Sequence, residues 1–194
     1  MAGRPDYAEL IMTTLSSAFQ NISYRLAGLG VALALLAGQP LVGAETLLVT
    51  DPVAGFAQAK ANGCNQSLVP AQERTGQALR LVVPSKPAEG WMAHSFIYGL
   101  EHGYRAGDKI VVTLWARATE GGEGAIKVEL GQLAKPYTSV IAKFVMPTAQ
   151  WKQYTVEGVA AADLAGDQAR FGFCVGYREQ VVEIAEIVVK NLGQ

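Results

Sequence analysis

This chain is poor in the residues that carry most protein chemistry. Its 194 residues include two histidines and two cysteines. His94 and His102 fall in no metal-spacing pattern such as His-Glu-x-x-His, and both read as loop or surface histidines. Neither Cys64 nor Cys174 has a histidine or a second cysteine near it in sequence, which argues against zinc. The Gly-x-Ser-x-Gly elbow and the phosphate-binding loop are missing as well. The net charge is −1 and there is no basic run. Nothing is therefore set to neutralise phosphates, and a nucleic-acid partner is not expected. Helical periodicity is scarce: after residue 44 the one helix-like stretch is 160–167, too short to be more than a turn. There is no internal repeat and no low-complexity segment.

Hydrophobic residues, by contrast, make up half of the chain. That is enough for one well-buried domain, and the length is too small for two. The N-terminal part has its own composition. Residues 26–38 (LAGLGVALALLAG) form an uncharged apolar run that leads through Pro40 to Val42 and Ala44. The Val-x-Ala pattern fits a signal-peptidase site, with a mature start near Glu45. Read instead as an uncleaved anchor, the run from Leu26 to Ala44 is nineteen residues, about the minimum for crossing a bilayer. The stretch before it is long for a leader, and Met12 is an alternative start. Residues 1–44 are thus expected to be a signal peptide or N-terminal anchor, and 45–194 the folded domain. The protein is expected to be secreted or periplasmic, or membrane-anchored if the leader is retained. In an oxidising compartment the even pair predicts a Cys64–Cys174 disulfide. It would close a loop of about 110 residues and contribute up to about 4–5 kcal/mol. Two buried free thiols are the alternative.

From Leu47 onward the chain alternates. Leu79, Leu81 and Val83 share one face of a run, Ile126, Val128 and Leu130 that of another, and residues 110–115 (IVVTLW) have the β-branched and aromatic content of a pleated surface. The glycine-rich segment 119–124 between the last two predicts a hairpin with antiparallel pairing. Eight to ten short strands at spacings of about ten residues predict an all-β fold, an antiparallel β-sandwich or jelly roll. In the last third, Phe171, Phe173 and Val175 take one parity, and the other starts at Arg170 and includes two residues no larger than a cysteine. Further on, Val182 and Ile184 take one parity, and Glu183, Ala185 and Ile187 the other. Glu183 and Glu186, three apart, should then point to opposite faces and could not flank one bond. A glycosidase would need two carboxylates roughly 5–10 Å apart in one cleft.

Three tryptophans and five tyrosines lie after residue 44, and aromatic faces are a means of holding sugar rings. Trp115, inside an apolar strand, reads as core, and Trp151 with Tyr154 as closing the sandwich. Trp91 follows a loop, Tyr98 ends a mixed run and Tyr137 opens a strand beside Pro136, so these three are the candidates for exposure.

Taken together, residues 78–83 (ALRLVV), Gly90-Trp91, 104–108 (YRAGD), 113–117 (TLWAR), 151–154 (WKQY) and the closing segment 173–184 resemble the carbohydrate-binding modules of families 4, 9 and 22, similar to modules that accompany xylanases. The likeness runs over about residues 47–193. It implies a galactose-binding-like jelly roll that binds a β-linked polysaccharide such as xylan without cleaving it, as a monomer and with no membrane contact once a leader is removed. It also implies a ligand cleft in which Trp91 and Tyr137 are platforms and Glu183 accepts hydrogen bonds from hydroxyls. Arg117, on the parity of Thr113 and Trp115, is a further candidate donor, and Tyr98 a further aromatic. Relatives often carry a calcium-ligating aspartate where this chain has Ala185, which weakens the case for a structural calcium. A structural or adhesive sandwich, with its aromatics all buried, is the alternative function.

Overall fold

The computed structural model describes residues 45–194; the leader or anchor read at 1–44 lies outside the described residues. Among these, eleven strands are formed: β1 (Thr46–Val49), β2 (Lys60–Asn62), β3 (Asn65–Pro70), β4 (Gln77–Val83), β5 (His94–Tyr98), β6 (Lys109–Glu120), β7 (Ile126–Gln132), β8 (Ser139–Val145), β9 (Lys152–Val159), β10 (Ala169–Cys174) and β11 (Gln180–Asn191). One sheet has the order β3-β4-β11-β6-β9, with β1 also pairing β11, and is six-stranded. The other has the order β2-β5-β10-β7-β8 and is five-stranded. Every pairing is antiparallel. The expected antiparallel sandwich is the architecture found.

The core lies between the sheets and follows the alternation of the sequence. In β6, Ile110, Val112, Leu114, Ala116 and Ala118 are buried, and the residues between them face outward. Leu79, Leu81, Val182 and Ile184 join them from the six-stranded sheet. From the other side come Ile126, Val128, Leu130, Phe171 and Phe173. Burying one such side chain contributes about 1.5–3 kcal/mol. The short helix α1 (Pro52–Gly55) is started by Asp51, whose Oδ1 accepts from the Ala54 amide at 3.0 Å. It delivers Phe56 into the core, stacked on Phe173 at 5.3 Å between ring centroids.

Three expectations need correction. The glycine-rich segment after β6 is not a hairpin turn, because β6 belongs to the six-stranded sheet and β7 to the five-stranded one. Gly121 and Gly122, both at positive φ, carry the chain across the sandwich, so that two apolar faces meet one core. The chain crosses again between β10 and β11. Second, both cysteines are free thiols. Cys174 pairs with His94 of β5, and β2 lies on the far side of β5, where Cys64 donates its thiol to the His94 carbonyl at 3.5 Å. Cys64, in the turn after β2, packs against the core, whereas Cys174 takes the outward parity of β10 with Arg170 and Gly172, so the two side chains point apart and no disulfide joins them. Third, β11 is bulged between Ala185 and Val188, where Glu186 has φ 48°. The extra residue returns Ile187 to the core and leaves Glu186 on the outer face with Glu183.

Candidate functional site

The outer face of the five-stranded sheet forms the floor of a cleft of about 1190 Å³. Because strand residues alternate, burying Phe171 and Phe173 turns Arg170, Gly172 and Cys174 outward from the central strand β10. Across the floor, Cα partners line up as Lys60, Phe96, Gly172 and Glu129, and as His94, Cys174, Lys127 and Phe144. The middle of the floor is kept low by Gly172: a Cβ there would fall 2.1 Å from the Ser95 carbonyl oxygen and 2.7 Å from the Phe96 ring. From Arg170 to Cys174 the floor runs four residues along the strand, about 13 Å at the usual rise.

A charged cluster occupies that floor. Glu129, almost fully buried, accepts on Oε1 from the Lys127 ammonium and on Oε2 from Arg170 at 3.2 Å. The Arg170 guanidinium lies over the Phe96 ring, 4.4 Å from its centroid, and within 5.5 Å of that of Tyr137. Burial pulls the Lys127 ammonium toward its neutral form, but the hydrogen bond and charge of Glu129 outweigh it and the net shift is upward. Burial, aided by Glu129, pushes the Cys174 thiol up to about 12, so it stays protonated and inert at neutral pH.

Aromatic side chains form the walls. Trp91, in a 3₁₀ turn at Gly90–Met92, is 58% exposed, Tyr98 is 41% and Tyr137 48%. His94 Nδ1 lies 2.8 Å from the Trp91 carbonyl and ties that turn to β5. Tyr137 sits at φ 60°, in the left-handed region that a non-glycine residue enters at a cost of about 1–2 kcal/mol. Backbone strain of this sort tends to be kept where a side chain has to be aimed. Trp91, Tyr98 and Tyr137 all line the one cleft.

Glu183 and Arg117 are not part of it. They lie on the outer face of the six-stranded sheet, on the other side of the sandwich. The Glu183 side chain is 1% exposed, with Oε1 2.6 Å from the Arg80 guanidinium and Oε2 2.7 Å from that of Arg117. Both its oxygens are taken from within the chain. Arg117 in turn lies over Trp151, 4.8 Å from the ring centroid, and Trp151 donates to the Gln72 carbonyl at 2.8 Å. Trp115 is not in the core but on this face, beneath Arg74 at 3.6 Å. Arg74 is itself bound to Glu186 at 2.7 Å. The two glutamates share a face, yet Glu183 is neutralised by Arg80 and Arg117 and Glu186 by Arg74.

The charged floor, Lys127, Glu129, Arg170 and Lys60, was missed in the sequence. Its signal was the small-residue parity of 169–176 and the Lys-x-Glu alternation of 127–129. Only the strand register shows that these residues are neighbours.

No family model and no curated protein sequence matches the chain. Solved structures do. A family 4 carbohydrate-binding module superposes with a TM-score of 0.57 at 17% identity, over 69% of this chain and 94% of the other. The fold is that of these modules. The second N-terminal cellulose-binding domain of Cellulomonas fimi β-1,4-glucanase C gives 0.59 at 15%, over 77% of this chain and 97% of that one. A family 22 xylan-binding domain of Paenibacillus barcinonensis gives 0.51 at 9%, over 70% and 86%. The resemblance read from the sequence thus holds at the level of the carbohydrate-binding-module fold. Ala185, where a calcium-ligating aspartate was sought, is buried against Ala71, Ala78, Val69 and Trp151. None of these side chains supplies the carboxylate that a calcium site would draw from this position. Among the described residues no group of three or more histidine, cysteine or acidic side chains is placed to hold a metal ion.

Proposed function

We propose that the cleft of the five-stranded sheet binds a polysaccharide chain without cleaving it. The observation that carries this reading is the convergence of Trp91, Tyr98 and Tyr137, all exposed, around a fixed polar floor. Exposed aromatic faces give apolar area for the C–H side of pyranose rings, and rigid polar groups give orientation. The floor is long enough for more than one ring. The names of the structural neighbours, cellulose-binding and xylan-binding domains, support the same ligand class. Hydrolysis of a glycoside needs a pair of carboxylates, one of them free to give a proton. In the lining of this cleft Glu129 is the carboxylate, and both its oxygens are engaged. A structural or adhesive sandwich with these aromatics all buried is not the arrangement found.

A binder of such polymers acts outside the cytoplasm, which agrees with reading residues 1–44 as a leader or anchor, and it acts as a monomer with an open cleft. Affinity electrophoresis of the domain in gels containing xylan, β-glucan or mannan tests the reading. Retardation by one of them is expected; migration unchanged by any glycan, acidic or neutral, overturns it.

A further inference from the structure

The whole chain is slightly acidic, yet the charge in the cleft runs the other way. Lys60, Lys127 and Arg170 line it against the single carboxylate Glu129, and His94 is the other titratable base there. One carboxylate cannot neutralise three cations. A neutral glycan would gain nothing from that surplus, and gathering cations in a partly dehydrated cleft is unfavourable unless an anion completes them.

We propose that the cleft selects an acidic polysaccharide, one bearing uronic acid carboxylates, with Arg170 and Lys60 as the groups that read the charge. This rests on the polysaccharide reading and narrows its substrate class. Arg170 carries the geometric part. Phe96 and Tyr137 hold its guanidinium by the face, and Glu129 takes one N–H at NH2. A guanidinium has five donors, so an edge is left for a ligand. A planar carboxylate matches such an edge with two parallel hydrogen bonds, which sugar hydroxyls do not reproduce. Tyr98 is the Cα partner of Arg170 on β5 and Tyr137 lies against the guanidinium. A ring stacked on those tyrosines therefore brings its carboxylate within reach of the arginine. Lys60, on the edge strand β2, is exposed and makes no ion pair among the described residues. It adds attraction for a second charge further along the chain.

The test compares alginate and polygalacturonate with the same polymers after reduction of their carboxyl groups to alcohols. Titrations use the native domain, Lys60→Gln and Arg170→Gln. Binding of the acidic polymers at least about tenfold tighter than of the reduced ones is expected at low salt, as charge-assisted bonds require. The preference should shrink as ionic strength rises from about 20 mM to about 500 mM. Arg170→Gln should remove most of it, and Lys60→Gln, which breaks no contact of the fold, should weaken it about threefold. Equal binding of acidic and reduced polymers overturns the inference and leaves the polysaccharide reading standing. So does a preference that survives unchanged in both variants. Dextran sulfate bound as tightly as the uronates overturns the carboxylate assignment. Binding of no polymer at all overturns the polysaccharide reading and the inference with it.

Discussion

The two outer faces of this sandwich are built from the same side chains and behave as opposites. On the six-stranded sheet, Arg74 covers Trp115, Arg117 covers Trp151, and Glu183 and Glu186 are held by arginines. Tryptophan, arginine and glutamate there complete one another, and the turn carrying Gln72 and Arg74 folds over them. On the five-stranded sheet the same chemistry is left unfinished. Aromatic faces are exposed, and the cations exceed the carboxylates available to them. Residue type does not make a binding face; what matters is whether the chain has already supplied the partners.

Removing Glu183 should have the largest effect. Glu183→Ala leaves Arg117 unpaired in a site where it is only 14% exposed, and loss of one partner from a buried pair costs about 3 kcal/mol or more. Urea unfolding should register this, with glycan affinity of the folded variant unchanged. Lost binding with unchanged stability would mean that the faces have been assigned the wrong way round. Next comes Trp91→Ala, expected to weaken glycan binding by about 2 kcal/mol, roughly thirtyfold. Because Trp91 is mostly exposed, the melting temperature should barely move.

The pH dependence of stability tests how dry the cleft floor and the core are. Burial raises Cys174 and Tyr104 to about 12 and Cys64 to about 11. The unfolded chain gives up these protons first, so it binds fewer of them and stability must fall as pH climbs. For the thiols the fall begins near their ordinary value of 9.0, with a limiting slope of about 1.4 kcal/mol per pH unit for each group. Denaturant midpoints between pH 8 and pH 11 should decline, and Cys174→Ala should make the decline shallower without abolishing it, since Cys64 and Tyr104 remain. A flat curve in the native domain would mean that water reaches the thiol. Smallest of all, Glu186→Gln should cost no more than about 1 kcal/mol, since the Arg74 pair is partly solvated. Its carboxyl is held below the usual range, first by the Arg74 hydrogen bond. The stability it contributes is therefore present above the usual range and is lost below it, as pH falls through the lowered value of the folded protein.

The strands and the identity of the core were legible because burial follows a period of two. Phe171, Phe173 and the apolar parity of β6 are where alternation puts them. The exposed aromatics were legible from their position beside loops. Pairing was not. The glycines after β6 look like a hairpin turn, and which sheet the next strand joins is decided by the core as a whole. The resemblance marks Glu183 as a ligand residue, and nothing near it in sequence announces its partner Arg80, 103 positions earlier. Trp115 looked like core because its neighbours are apolar, and its cover, Arg74, arrives from a different turn. The bulge at Glu186 changed parity midway along β11, and alternation cannot announce that.

Strand β11 has one more consequence, for the order in which the molecule assembles. It pairs with β1, β4 and β6, and β4 does not pair with β6 directly. All three precede it in the chain, so they emerge from the ribosome before the strand that joins them. The six-stranded sheet is therefore closed late, over loops that span most of the domain, and contacts of such sequence separation make folding slow. During synthesis the edges of β4 and β6 stay unpaired until β11 arrives, the interval in which such a domain is most open to mispairing.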